Sequence, residues 1–322
     1  MASDVRVAFG TGILLDLWNG QLAAAPTTAH FLTYHEGRCS ANCKFCPQAR
    51  ESTADPRMLS RVVWPRCELE DVLAALKKHH SRFKRICIQA VNYPSVVDDL
   101  CEFVAKVKGV CDLSISVSCQ PLAASDVERL AAAGAERVSI ALDVATPKLF
   151  ERIKGGGYTW ERHLRALENA RAIFNDGITT HLIVGLGESE LEMVQTIQFL
   201  HDKGITIGLF AFTPIAGTPL AGRPRPNVMS YRRIQLAQHL IVNGLSRVDG
   251  MKFDGDKILD FGVVGDVLRK TIDSGEPFMT SGCPDCNRPF YNESPRGPIH
   301  NYPRKPTPKE IAAIRGQLFS EH

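Results

Sequence analysis

The run from Leu113 to Cys119 alternates strictly, with Leu113, Ile115 and Val117 apolar and Ser114, Ser116 and Ser118 polar. A period of two predicts a strand that shows serines on one face and apolar side chains on the other. Similar short β-rich runs recur at 29–34, 85–90, 137–142, 179–184, 206–213, 250–254 and 277–282. Between them, apolar residues at helical spacing predict helices at 68–79, 96–108, 126–133, 160–174, 190–203, 231–243 and 264–274. Ser125-x-x-Glu128 and Ser189-x-x-Glu192 read as capping boxes. Eight strands joined by helices predict an α/β fold with a parallel sheet closed as a (β/α)8 TIM-type barrel. A doubly wound open sheet is the alternative. On the barrel plan the chain divides into an N-terminal segment 1–28, a barrel 29–286 and a C-terminal extension 287–322.

Strand parity says more about the interior. In a barrel the apolar face packs against the helices, which leaves Ser114, Ser116 and Ser118 in the lumen. Ile86 and Ile88 likewise share one face, and Cys87 and Gln89 the other. A polar lumen predicts an internal site rather than the packed interior usual for the fold. Cys119 falls on the apolar face and reads as a core thiol. Residues 287–309 carry six prolines and five Arg or Lys against one acid. They predict an extended, Pro-rich basic segment, either solvated around the barrel or docking a partner, before a helix at 309–319.

Composition adds mainly exclusions. The 322 residues are 44% hydrophobic and 23% charged, which excludes disordered, collagenous and low-complexity classes. A net charge of +3 is too mild to argue for nucleic acid. No apolar run approaches the roughly 18 residues of a membrane helix. Ile13-Leu14-Leu15 is interrupted by Asp16, so no signal peptide is predicted and a cytoplasmic location is expected.

Ten cysteines stand out, as one tight trio, one tight pair and five singles. Without a secretory signal, metal or redox chemistry is favoured over a disulfide framework. Cys39-x-x-x-Cys43-x-x-Cys46 directly follows the first predicted strand. Three thiolates on one loop suit three irons of a [4Fe-4S] cube and leave the fourth iron open to a small chelator. Structural zinc wants four ligands, often two CxxC pairs, and no matching pair lies nearby. Cys283-Pro-Asp-Cys286 follows the last predicted strand. Its alternatives are a zinc half-site, a redox pair or part of a second iron–sulfur site.

The trio, with Phe45 just before its last cysteine, resembles the radical S-adenosylmethionine (SAM) superfamily. Cys46-Pro-Gln resembles its biotin synthase-like members, as do Ile183-Val-Gly-Leu-Gly-Glu188, Phe212-Thr-Pro-Ile-Ala-Gly217-Thr-Pro-Leu220 and the acid of Leu142-Asp143. The similarity spans about 30–285. It implies that Cys39, Cys43 and Cys46 hold a [4Fe-4S] cluster whose open iron binds SAM. It also implies that Phe45 lies against adenine, that Asp143 meets the ribose hydroxyls, and that Gly185 lets the backbone approach adenosine. Glu188 belongs to the same motif. For Asp143 an N-cap role before Pro147 is the competing reading, and for Glu188 a charge at a helix start.

The second, sulfur-donating cluster of biotin synthase has three strand cysteines and an arginine as ligands. Only Cys87 matches here. The other positions fall on Ser116, on Thr180 or His181, and on Lys252 or its neighbour. Cys87, Cys283 and Cys286 instead suggest an auxiliary iron–sulfur cluster at the active-site face, with Cys119, Cys67 or Ser281 as fourth ligand. The run after Cys286 and His300-Asn-Tyr-Pro-Arg304 resemble the archaeal-type two-component lipoyl synthases. That resemblance implies sulfur insertion at C6 or C8 of a protein-bound octanoyl chain. Its partners would be an octanoylated lipoyl carrier domain or H protein, a related radical SAM subunit and an electron donor. Gln89, Asn92, Ser116 and Lys252 would orient substrate or cluster, and Arg288, Arg296 and Arg304 would contact carrier or substrate. The alternatives are a biotin synthase-like or other radical SAM reaction on a small molecule, and a non-catalytic metal-binding scaffold.

Overall fold

The computed structural model describes residues 3–155 and 157–319. One eight-stranded sheet organises it. The strands are β1 (Asp4–Val7), β2 (Thr28–Thr33), β3 (Arg66–Glu68), β4 (Arg85–Gln89), β5 (Ser114–Cys119), β6 (Arg137–Ile140), β7 (Ile178–Val184) and β8 (Thr206–Ala211). Their order is β8-β7-β6-β5-β4-β2-β1-β3. The six strands from β2 and β4 to β8 run parallel, each beside its predecessor. β1 pairs antiparallel with both β2 and β3. Residues of β2 and of β8 line one interior cavity, so the sheet curls. It is a partial barrel, open between β8 and β3, and the expected closure into eight parallel strands does not occur.

The two missing strands have local causes. Residues 250–254 contribute to an antiparallel hairpin, Lys252–Asp254 with Lys257–Asp260, apart from the main sheet. Gly255-Asp256 is its two-residue turn, with Gly255 at φ +53, a conformation that glycine adopts freely. The charged ends of these short strands are exposed, so nothing drives them into a core. At 277–282, Pro277 sits in the 3₁₀ turn Glu276–Phe278 and lacks the N–H a central strand needs. Only a bridge from Met279 to Tyr302 follows.

The helical periodicities translate closely. Val96–Lys108 and Trp160–Phe174 match expectation, and Glu190–Asp202 opens with the capping box of Ser189 and Glu192. The other expected box is absent: Ala124–Ala132 starts ahead of Ser125, with Ala123 at its N-cap. Pro147–Ile153 is an additional short helix, its N-cap Thr146 accepting from the Leu149 amide at 3.2 Å. In β5, Ile115 and Val117 are fully buried while Ser116 faces the interior cavity, as parity required.

The Pro-rich segment does not lie loose in solvent. It covers the open edge of the sheet, with Tyr291, Glu293, His300, Asn301 and Tyr302 all buried. Asn301 Nδ2 donates to the Leu209 carbonyl of the edge strand β8 at 3.1 Å, and Ser281 Oγ accepts from the Leu209 amide at 3.0 Å. Arg232, 1% exposed, donates to the carbonyls of Ile299 and His300 at 2.5 Å. Side chains thus satisfy edge groups that further strands would have paired. Arg296 and Arg304 stay on the surface, and Arg304 is paired with Glu310 at 2.8 Å. Among the described residues no helix is long and apolar enough to cross a membrane.

Candidate active site

The chain leaves β2 at the C-terminal end of the sheet and folds into the loop that carries Cys39, Cys43 and Cys46. Backbone bonds cross-tie this loop: the Cys39 amide donates to Gln48 O at 3.0 Å and the Cys46 amide to Cys43 O at 2.9 Å. Gln48 Nε2 donates to the Pro56 and Met58 carbonyls at 2.7 and 2.6 Å. Asn92 faces this loop. Its amide donates to Cys39 Sγ at 3.3 Å, and its side chain reaches Ser40 Oγ and the Tyr158 hydroxyl.

Gly217 shows why its motif is spelled as it is. At φ +84 its carbonyl accepts from the Thr53 amide at 2.9 Å, and a Cβ there would sit 2.5 Å from the Ala54 nitrogen. Only glycine lets the segment after β8 approach the cysteine loop so closely. Cys39 and Cys43 are buried and Cys46 is half-buried. Burial pushes the Cys43 thiol up to about 12 and raises that of Cys46, with the neighbouring thiols adding to both. Three thiols on one tightly tied loop are a donor set that bound iron would make thiolate.

Beside the loop a partly enclosed cavity opens, lined by apolar side chains and a few polar groups. Phe45, Cys46 and Asp143 meet on its wall, with Ile183, Phe212 and Ile215 as apolar neighbours. Asp143 stands just beyond β6 at φ +68, a left-handed conformation that Asp tolerates. Its amide donates to His181 O at 2.7 Å and its carbonyl accepts from Ile183 N at 2.8 Å. The N-cap reading fails, because Thr146 holds that position. The carboxylate instead accepts from Lys154 Nζ at 2.8 Å. Lys154 is 0% exposed and also donates to the Ala141 carbonyl. Nothing in the sequence singled out Lys154.

Gly185 and Glu188 form the turn after β7, behind the cavity wall rather than on it. Glu188 accepts from the amides of Gly185 at 2.5 Å and Leu186 at 3.0 Å, so it clamps the turn and is not a free charge at a helix start. Burial raises its carboxyl pKa, and these amide bonds oppose the shift. Gly185 has φ +103, and a Cβ would lie 3.0 Å from Pro226 Cδ and 3.3 Å from Phe212 Cβ.

The second thiol set converges, but at the opposite end from the one expected. Cys87, Cys283 and Cys286 line one inner cavity with Thr28, Arg85 and Thr179, residues from the N-terminal halves of their strands. The Cys283–Cys286 loop is pinned there by Arg85 Nε to Pro284 O at 3.2 Å, Thr27 N to Asn287 Oδ1 at 3.0 Å and Asn287 Nδ2 to Ala25 O at 2.8 Å. It plugs the N-terminal mouth of the barrel and does not end an eighth strand on the active-site face. Cys283 Sγ lies 4.0 Å from Ser116 Oγ and 3.7 Å from Thr179 Oγ1. Burial, and then the neighbouring thiols, raise the Cys87 pKa; burial also raises that of Cys286.

The fourth ligands named from sequence do not fit. Cys119 is a buried core thiol pushed up to about 12 by desolvation. Cys67 pairs with Val5 on the outer strand β3, and Ser281 Oγ serves Leu209. Lys252 lies on the exposed hairpin, outside the lumen. Gln89, Ser116 and Arg288 do face it. Several buried polar atoms here lack any partner: both ring nitrogens of His30, Gln89 Nε2 and Arg288 Nε. Such atoms are costly unless a bound group completes them. Among the described residues no three His, Cys, Asp or Glu converge as a single ion needs. A polynuclear cluster draws its ligands toward separate corners instead.

The radical SAM superfamily model matches residues 33–200. A biotin synthase of Clostridium botulinum is 25% identical over 257 residues, covering 76% of each chain. A biotin synthase of Christiangramia forsetii is 22% identical over 312 residues, 90% of this chain and 80% of that one. Among solved structures, the FeFe-hydrogenase maturase HydG of Carboxydothermus hydrogenoformans matches at 21% identity and TM-score 0.53. That match covers 65% of this chain and 50% of HydG, so the chain spans half the maturase. Methylornithine synthase (PylB) matches with TM-score 0.50 and 16% identity, over 70% of this chain and 66% of that one. Both likenesses concern the fold. These matches overturn the expectation of a lipoyl synthase acting at C6 or C8 of an octanoyl chain: the curated relatives are biotin synthases. The octanoylated carrier inferred from the same resemblance goes no further.

Proposed function

The chain belongs to the radical SAM superfamily, and we propose that it functionalises an unactivated C–H bond of a small molecule held inside the partial barrel, introducing sulfur there. The observation that carries this reading is that two thiol sets face one interior from opposite ends. Cys46 borders the upper cavity and Cys87, Cys283 and Cys286 the lower, while Gln89, His181, Phe210 and Arg288 line both. In this reading Cys39, Cys43 and Cys46 hold a [4Fe-4S] cluster with an iron left for SAM, and the lower thiols hold a second iron–sulfur cluster. When bound, these groups would supply a 5′-deoxyadenosyl radical, formed by one-electron cleavage of SAM to methionine, that takes the substrate hydrogen as 5′-deoxyadenosine, and a sulfide that replaces it while iron of the second cluster takes up the electron released as the C–S bond forms.

The chain's own residues position and seclude. Lys154 holds Asp143 Oδ2 at 2.8 Å, which leaves Oδ1 to accept from ribose hydroxyls. Phe45 offers an apolar face to adenine, and the turn of Gly185 and Glu188 fixes the wall behind it. Ile183, Phe210, Phe212 and Ile215 keep water from the space where the C–H bond would lie. The C-terminal segment over the open edge favours a molecule small enough to be enclosed. An external one-electron donor is required.

Anaerobic reconstitution with iron and sulfide tests the reading. With reductant and SAM the protein should release 5′-deoxyadenosine, and Cys39→Ala should abolish it. Iron should exceed the roughly four atoms of a single cubane cluster. About four irons per chain with normal SAM cleavage would leave the lower thiols structural and remove the proposed sulfur source.

A further inference from the structure

Resting on the reading of the lower thiols as an iron–sulfur site, we infer that His30 is its fourth protein ligand. His30 and Cys87 are register partners on the adjacent parallel strands β2 and β4. Both side chains point to the same cavity, which Cys283 and Cys286 close from below. The imidazole is 1% exposed, and neither ring nitrogen has a hydrogen-bond partner. A buried histidine almost always uses at least one of its nitrogens, so this ring lacks the group for which it is placed.

The ring is held for the task. The His30 amide donates to Thr11 Oγ1 at 2.9 Å, its carbonyl accepts from the Ala8 amide at 3.1 Å, and its ring packs 5.1 Å from that of Tyr291. A neutral imidazole nitrogen carries the lone pair that would bind iron. The competitors around the cavity are less suited. Ser116 Oγ already accepts from Arg85 Nη1 at 2.9 Å. Arg288 stacks on the Phe210 ring and serves as counter-charge to a cluster of thiolates. Its guanidinium lies 4.6 Å from the centre of the Phe210 ring.

The test is pulsed EPR on the full reconstituted and reduced protein carrying [15N]histidine, with His30→Gln as the paired sample and His30→Cys as a ligand replacement. Strong nitrogen coupling to the second cluster, lost in both variants, is expected. His30→Gln should lower the iron above that of the first cluster at least twofold, and His30→Cys should restore it. A second cluster without histidine coupling, or with coupling that survives His30→Gln, overturns the assignment and leaves the proposed function standing. Failure of the wild type to bind iron beyond the first cluster overturns both. Thermal unfolding of the cluster-free proteins is the folding control for both variants.

Discussion

Replacing Lys154 by Met probes the least conspicuous part of the proposed SAM site. The ammonium is fully buried, 2.8 Å from Asp143 Oδ2 and 5.6 Å from the centre of the Phe150 ring. At that separation and an effective dielectric near 20, the gross attraction is about 6 kcal/mol. Desolvation of both ions cancels much of it, yet removing one partner leaves a buried carboxylate uncompensated, at about 3–5 kcal/mol. Asp143→Asn with Lys154→Met removes both charges and should cost only about 1–2 kcal/mol, chiefly the lost bond to Ala141 O. Urea unfolding of the cluster-free protein, single against double variant, measures the difference. A single variant within 1 kcal/mol of wild type would refute the argument. So would a double variant as unstable as the single, which would trace the loss to packing.

Other consequences follow from separate parts of the molecule. Gly217→Ala forces a Cβ to 2.5 Å from the Ala54 nitrogen at φ +84. It should displace the cysteine loop and lower iron retention at least severalfold in a chelator challenge, while Gly222→Ala, whose Cβ meets nothing within 4 Å, should not. His163 is fully buried, and desolvation lowers its pKa to about 3. Below 6.5 the unfolded chain therefore binds a proton that the folded chain refuses, so stability falls as pH drops. From pH 6.5 to 5 the loss should be about 1.6 kcal/mol from this residue alone, and His163→Phe should flatten the urea-midpoint profile by that amount. Thr146→Ala should cost about 1 kcal/mol through the lost cap on the Leu149 amide, read by thermal unfolding.

How much could be read beforehand depended on whether the signal was local. Strict alternation at 113–119 placed Ser116 in the lumen, and the spacing of Cys39, Cys43 and Cys46 marked the upper site, because both patterns are complete within one short segment. The last two strands failed because a β-rich run does not reveal its pairing partner. Pro277 and the Gly255-Asp256 turn were the available contrary signals. The position of Cys283 and Cys286 was mistaken for the same reason: once an eighth strand is assumed, its end falls on the wrong face. Lys154 and His30 were missed because their roles arise from long-range packing. His30 carried one usable clue, its parity with Thr28 on the strand next to Cys87.

Two iron–sulfur sites facing a single interior should be separable. Iron analysis with Mössbauer spectroscopy of the anaerobically reconstituted wild type and of Cys283→Ala/Cys286→Ala tests this most directly. The wild type should show two spectrally distinct clusters. The double variant should keep only the first, about four irons per chain, and still cleave SAM. Equal iron and identical spectra in the two proteins would contradict it.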